Sequence, residues 1–134
     1  MSSTILSIDP GKYRSGMAVL LEDGSVLERA ITKTIDIKDS VLALCFKYQP
    51  SLIIIGNSGQ GKSVEKKISQ LNLKSTIIFV NEKGSTMEAR KLYWEENKPK
   101  GILRFIPKSL LIPKEPYDDY AAVVIALRYL NKGK

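Results

Sequence analysis

The apolar residues of this chain change rhythm near residue 35, and that change restricts the fold more than any other feature. Before it, Ile5–Ile8, Gly16–Leu21 and Val26–Thr34 read as three short strands. Asp9-Pro10-Gly11 separates the first two, and Glu22-Asp23-Gly24-Ser25 carries the Asp-Gly hairpin signal between the second and third. Tight turns between consecutive strands make an antiparallel meander. After the change, Ile37, Val41, Leu44 and Tyr48 fall at helical spacing, and Gln49-Pro50 ends that helix. Leu52–Ile55 is a continuous apolar run, the pattern of a strand covered on both faces. Val64, Ile68 and Leu71 mark a second helix, and Thr76–Val80 a second covered strand. Ser85-Thr86-Met87-Glu88 fits a capping box that opens a third helix running to about Asn97. Pro99, Gly101, Pro107 and Pro113 make 99–114 an irregular loop, with a short strand expected at Ile102–Ile106. A last helix runs from about Tyr117 to Leu130, with Ala121, Val124, Ile125, Leu127 and Leu130 on its apolar positions.

The order is therefore β-β-β-α-β-α-β-α. It predicts an α/β protein with a five-stranded mixed sheet and helices on both faces. Crossovers between parallel strands are expected to be right-handed. At 134 residues the chain suits one domain spanning 1–134, and no linker or internal repeat divides it.

Two absences narrow the chemistry. The chain has no histidine and one cysteine, Cys45. Ser-His-Asp and Cys-His nucleophiles, histidine zinc sites and intrachain disulfides are excluded. Cys45 lies in the mostly apolar run Val41–Phe46 and reads as core filler. No apolar run reaches the roughly 18 residues of a membrane span. The first residues lack the pattern of a signal peptide, so a soluble, cytoplasmic protein is expected.

Charge points toward a partner. Twenty-one Lys and Arg against 14 Asp and Glu give +7. Of this, +5 falls in residues 98–134, which hold eight basic and three acidic residues. Lys98, Lys100, Arg104, Lys108 and Lys114 occur there with no acid before Glu115. Such a strip suits phosphate contacts, which supply affinity and salt dependence but little sequence specificity. A solvated basic loop is the plainer alternative. Tyr117 and Tyr120 flank the next acids and are candidates to stack on bases or to pack internally.

The few acids fall at telling places. Asp9 ends the first strand, Glu82 follows the end of Thr76–Val80, and Asp118 opens the last helix beside Asp119 and Glu115. Ligands of mixed α/β sheets gather beyond the carboxyl ends of parallel strands. Carboxylates that meet there repel unless a cation sits between them, and hard oxygen ligands suit Mg²⁺ or Mn²⁺. Two such ions hydrolyse phosphodiesters without histidine or cysteine. Taken singly, each acid has a structural use as a turn residue, a solvated residue or a helix-start residue.

At these positions the sequence resembles a family. Ile8-Asp9-Pro10-Gly11-Lys12-Tyr13-Arg14-Ser15-Gly16-Met17-Ala18-Val19 is similar to the opening strand-turn-strand of RuvC-like nucleases. Val80-Asn81-Glu82-Lys83-Gly84-Ser85-Thr86-Met87-Glu88-Ala89 resembles the D-E-R-x-[ST]-T-x-E-A segment of the YqgF group. Asp118-Asp119-Tyr120-Ala121-Ala122 resembles that group's closing helix start. The resemblance covers nearly the whole chain. It implies an RNase H-like fold and a metal-dependent endonuclease acting on Holliday junction DNA or on precursor 16S ribosomal RNA. It implies Mg²⁺ or Mn²⁺ held by Asp9, Glu82 and Asp118, with Glu115 and Asp119 as additional acids. Lys12, Arg14, Lys62, Lys83, Lys98, Lys100, Arg104, Lys108 and Lys114 are then the candidate nucleic-acid contacts. A junction resolvase needs two active sites, so a homodimer is expected. The sequence departs from the pattern in three places. Asn81-Glu82-Lys83 replaces Asp-Glu-Arg, Pro10 replaces an apolar residue, and Ile55 is followed by Gly56-Asn57 where RuvC proper has an acid.

Two other readings stay open. Gly56-Asn57-Ser58-Gly59-Gln60-Gly61-Lys62-Ser63 satisfies the P-loop pattern between a covered strand and a helix, the setting of a nucleotide-binding protein. A catalytically inactive nucleic-acid-binding domain also fits the charge.

Overall fold

The computed structural model describes residues 3–107, 110–113 and 115–131. Strands β1 (Thr4–Asp9), β2 (Arg14–Leu21) and β3 (Val26–Lys33) form the expected antiparallel meander. A short 3₁₀ turn (Thr34–Asp36) leads into helix α1 (Ile37–Tyr48). Strand β4 (Leu52–Gly56), helix α2 (Gly61–Ser69), strand β5 (Thr76–Val80), helix α3 (Ser85–Glu96) and helix α4 (Asp118–Asn131) follow. The sheet order is β3-β2-β1-β4-β5, with β4 parallel to both β1 and β5.

Alternation along β1 assigns the two faces. Leu6 and Ile8 point to one side, where they meet Ile53, Ile55, and Ile37, Val41, Val64 and Ile68 of α1 and α2. Ile5, Ser7 and Asp9 share the other side by the two-residue period of a strand. There Ile5 packs on Ile54 and Ile125, and the buried Ser7 hydroxyl donates to the Ala122 carbonyl at 2.6 Å. α4 is buried continuously from Tyr120 to Ala126, because it lies between the sheet and α3. Truncating a fully buried residue such as Ile54 to Ala would cost about 2–5 kcal/mol. Cys45 packs against the α1–α2 core, and burial pushes its thiol pKa up.

Three local expectations fail. Thr76–Val80 is a strand but not a covered one: β5 is the sheet edge, none of its residues is buried, and Phe79 is 44% exposed. Ile102–Ile106 is not a strand: Gly101–Phe105 is a 3₁₀ turn with no buried residue. A strand needs a neighbour for its peptide groups, whereas this segment bonds to itself, Ile106 N–H to Leu103 O at 3.1 Å. The capping box at Ser85 does not form either. Gly84 holds the N-cap position at φ +78°, and no side chain caps the helix. Glu88 instead pairs with Arg128 at 2.8 Å and ties α3 to α4.

Candidate functional site

The face of β1 that carries Ile5 and Ser7 ends in Asp9. Asp9 pairs in register with Gly16 of β2. A Cβ on Gly16 would lie 1.9 Å from the Asp118 carbonyl oxygen and 2.6 Å from the Asp119 nitrogen. The first turn of α4 therefore rests directly on the strand opposite Asp9, and only glycine permits that approach.

Glu82 arrives from the far edge. The Asn57 N–H donates to Val80 O at 3.1 Å, which fixes the exit of β5 against the exit of β4. The chain then turns so that the Glu82 carboxylate lies over Gly56. A Cβ on Gly56 would come within 2.8 Å of Glu82 Oε2. The end of β4 carries no acid of its own, and a carboxylate from beyond β5 fills the space above it.

Asp9 and Glu82 face each other. The Asp9 pKa is raised to about 8, first by burial, then by hydrogen bonding with Glu82, then by the charges of Glu82 and Asp118. Glu82 Oε1 is buried and has no hydrogen-bond partner among the described residues. Two carboxyl groups offer acceptors to one another, so the pair requires a shared proton or a cation.

Asp118 stands nearby but is engaged. Its carboxylate accepts from Arg14 Nε, from the start of β2. Among the described residues, no three acidic, cysteine or histidine side chains are grouped closely enough to hold one metal ion. The structure thus brings Asp9 and Glu82 together and leaves Asp118 beside them, turned to a guanidinium. Asp119 points elsewhere: Arg29 Nη1 reaches its Oδ2 at 3.2 Å, while burial raises its pKa against that arginine. Glu115 is exposed in the turn before α4.

These acids fit a divalent cation in part. The donor set is hard oxygen, a buried oxygen lacks a donor, and Gly56 leaves room for the carboxylate. Asp118 is held away from such a set by its pairing with Arg14.

Of the candidate phosphate contacts, Lys12, Arg14, Lys62, Lys83, Lys98, Lys100 and Arg104 are exposed. Lys108 and Lys114 lie outside the described residues. Tyr120 packs internally, edge-on to Tyr93 with ring centres 5.4 Å apart, and its hydroxyl donates to Glu96 at 3.0 Å. Tyr117 is half-buried, and its hydroxyl accepts from Arg90 at 2.8 Å.

The Gly56–Ser63 segment precedes α2 as its motif requires, yet it does not form an open phosphate cradle. The Asn57 and Gly61 N–H groups are already bonded to the Val80 and Ser58 carbonyls.

Sequence reasoning missed Gly56, Gly16 and the Arg14 counter-ion. A glycine at a strand end signals close approach of another group, so the first was within reach.

No protein-family model matches the sequence, and no curated protein matches it. Solved structures do. The Thermus thermophilus RuvC in complex with a Holliday junction substrate superimposes with a TM-score of 0.64 at 12% identity, over 93% of this chain and 90% of that one. A second Thermus thermophilus RuvC structure gives 0.60 at 14%, over 92% and 91%. The chain has the RuvC-type RNase H-like fold, a mixed five-stranded α/β sheet covered by helices. Among the described residues, no helix is long and apolar enough to cross a membrane.

Proposed function

We propose that this chain is a divalent-metal-dependent endonuclease on structured nucleic acid, carried by one domain over residues 1–134, acting in the cytoplasm as a homodimer. The observation that carries the reading is the Asp9–Glu82 pair, two facing carboxyl groups with a buried oxygen lacking a donor, at the carboxyl ends of β1 and β5. The RuvC neighbour in complex with a Holliday junction supports nucleic acid as the partner, and so does the +7 charge.

In this reading Asp9, Glu82 and Asp118 hold Mg²⁺ or Mn²⁺. Held there, such ions would supply an activated water and a counter-charge for the departing oxygen. The chain's own residues do the rest. Gly56 and Gly16 let Glu82 and the α4 start come close to Asp9. Arg14 pairs with Asp118 and offsets its charge. Exposed Lys12, Lys62 and Lys83 surround the strand ends and suit backbone phosphates. The substrate class is branched DNA or precursor 16S ribosomal RNA.

The test is cleavage of a four-way DNA junction and of a precursor ribosomal RNA with Mn²⁺. Cutting that disappears in Asp9→Asn supports the mechanism; cutting unchanged in Asp9→Asn sinks it.

A second reading is favoured by the Arg14–Asp118 ion pair and by Asn81 in place of an acid. It is a binding domain without catalysis, which would show salt-sensitive binding, no bound Mn²⁺ and no cutting.

A further inference from the structure

The segment between α3 and α4 is anchored near both ends, and residues 100–107 between the anchors are exposed. At its start, the Asn97 side-chain amide donates to the Tyr93 carbonyl at 2.9 Å and to the Tyr120 hydroxyl at 3.2 Å. At its return, Trp94 Nε1–H donates to Leu111 O at 3.1 Å, and Leu111 is buried. Between these anchors the Gly101–Phe105 turn buries nothing. Ile102 is 81% exposed and Phe105 76%, with Leu103 and Ile106 also open to solvent. Four large apolar side chains in five residues are a cluster, unlike the single exposed residues common on protein surfaces.

Charge identifies what covers them. Residues 98–107 contain Lys98, Lys100 and Arg104 and no acid. The Arg104 guanidinium lies 4.9 Å from the centre of the Phe105 ring. An aromatic face flanked by cations suits a nucleobase and its phosphates together. An anionic membrane offers similar chemistry. It is disfavoured by charge, because Lys98, Lys100 and Arg104 are fewer than the roughly four to eight clustered cations that mark a site for anionic lipid.

We infer that Lys98–Ile106 is a stacking arm for unpaired nucleotides. Phe105 is its platform, Ile102 extends the apolar face, and Lys98, Lys100 and Arg104 take the phosphates. The inference rests on the nucleic-acid reading above and adds to it a preference for unpaired bases.

Fluorescence anisotropy in EDTA, where cutting is blocked, tests it with labelled oligothymidylate, a duplex and a four-way junction. Phe105→Ala is expected to weaken oligothymidylate binding about 5- to 100-fold. Duplex binding should stay within about twofold, and Phe105→Trp should bind as the wild type does. Phe105 is exposed, so circular dichroism should show Phe105→Ala folded. Equal oligothymidylate binding by Phe105→Ala and wild type overturns the arm and leaves the nuclease reading standing. Wild-type protein that binds none of these DNAs, nor a precursor ribosomal RNA, overturns the nucleic-acid reading and the arm with it. Wild-type binding to phosphatidylserine vesicles that Phe105→Ala abolishes, with oligothymidylate binding unaffected, overturns the arm in favour of a membrane contact.

Discussion

The carboxylate of Glu82 occupies the space that a side chain on Gly56 would need, with Oε2 2.8 Å from where that Cβ would stand. The clash involves the far end of a flexible side chain, and a methyl group there also touches Ile125 Cδ1 at 3.1 Å. Gly56→Ala should therefore move the carboxylate more than it disturbs the fold. We expect a stability loss of about 1–3 kcal/mol by thermal denaturation, as for other overpacked sites. Mn²⁺ affinity by calorimetry should fall about 10- to 100-fold, as for other supports of metal ligands. Gly16→Ala is the contrast, since backbone atoms of Asp118 block it and it should destabilise the fold itself. Unchanged Mn²⁺ affinity in Gly56→Ala would show that Glu82 is not a ligand.

Arg14 and Asp118 form an ion pair with both side chains partly open to solvent, so its loss should alter stability by about 1 kcal/mol or less. Its effect on cation binding should be larger than that suggests. Arg14 is a positive charge seated on one of three proposed ligands. Arg14→Gln removes that competitor and leaves the pocket more negative. Mn²⁺ affinity is expected to rise about fivefold, the equivalent of about 1 kcal/mol between charges in water-like surroundings. Titration calorimetry at low salt measures this directly. Weaker Mn²⁺ binding in Arg14→Gln would mean that the arginine organises Asp118 instead of competing for it.

The sheet was legible because each signal was local. The β-rich run Ile5–Ile8, the Asp-Gly turn and the apolar runs Leu52–Ile55 and Thr76–Val80 all act within a few residues, whereas the exposure of β5 follows from its place at the sheet edge, which no local run encodes. The positions of Asp9, Glu82 and Asp118 at element ends follow from the same boundaries. What escaped depends on partners far along the chain. Arg14 lies 104 residues from Asp118, and Glu88 lies 40 from Arg128, whose pull replaces the capping box. Ile102–Ile106 has strand-forming side chains but no strand beside it, so propensity yields to the need for peptide hydrogen bonds.

Lys62 separates the phosphate-tracking reading from the nucleotide-binding one. It lines a cavity of about 370 Å³ with Asn57, Ser58, Gly59 and Phe79, beside the exits of β4 and β5. Two backbone N–H groups of this loop are already spent on carbonyls. ATP should therefore leave the melting temperature unchanged. Lys62→Ala should weaken binding to all nucleic acids alike, and the slope of log affinity against log salt should fall by about 1. Tight ATP binding lost in Lys62→Ala would reverse this assignment.

The Asp9 pKa near 8 makes a prediction whose sign is fixed. An unfolded aspartate titrates near 3.8, so between roughly 4 and 8 the folded protein binds the proton that the unfolded chain has lost. The protonated pair stabilises the fold fully below the unfolded value. That contribution is lost as pH rises toward 8, and no further loss from this group follows above it. In EDTA, wild-type protein should lose stability from pH 5 to pH 8.5 relative to Asp9→Asn, which cannot ionise there. Mn²⁺ must displace this proton, so its stabilisation of the wild type should grow with pH over the same interval and level off above about 8. Parallel melting curves for the two proteins across that range, without Mn²⁺, would show that Asp9 is already ionised at pH 5 and that the facing carboxyl groups share no proton.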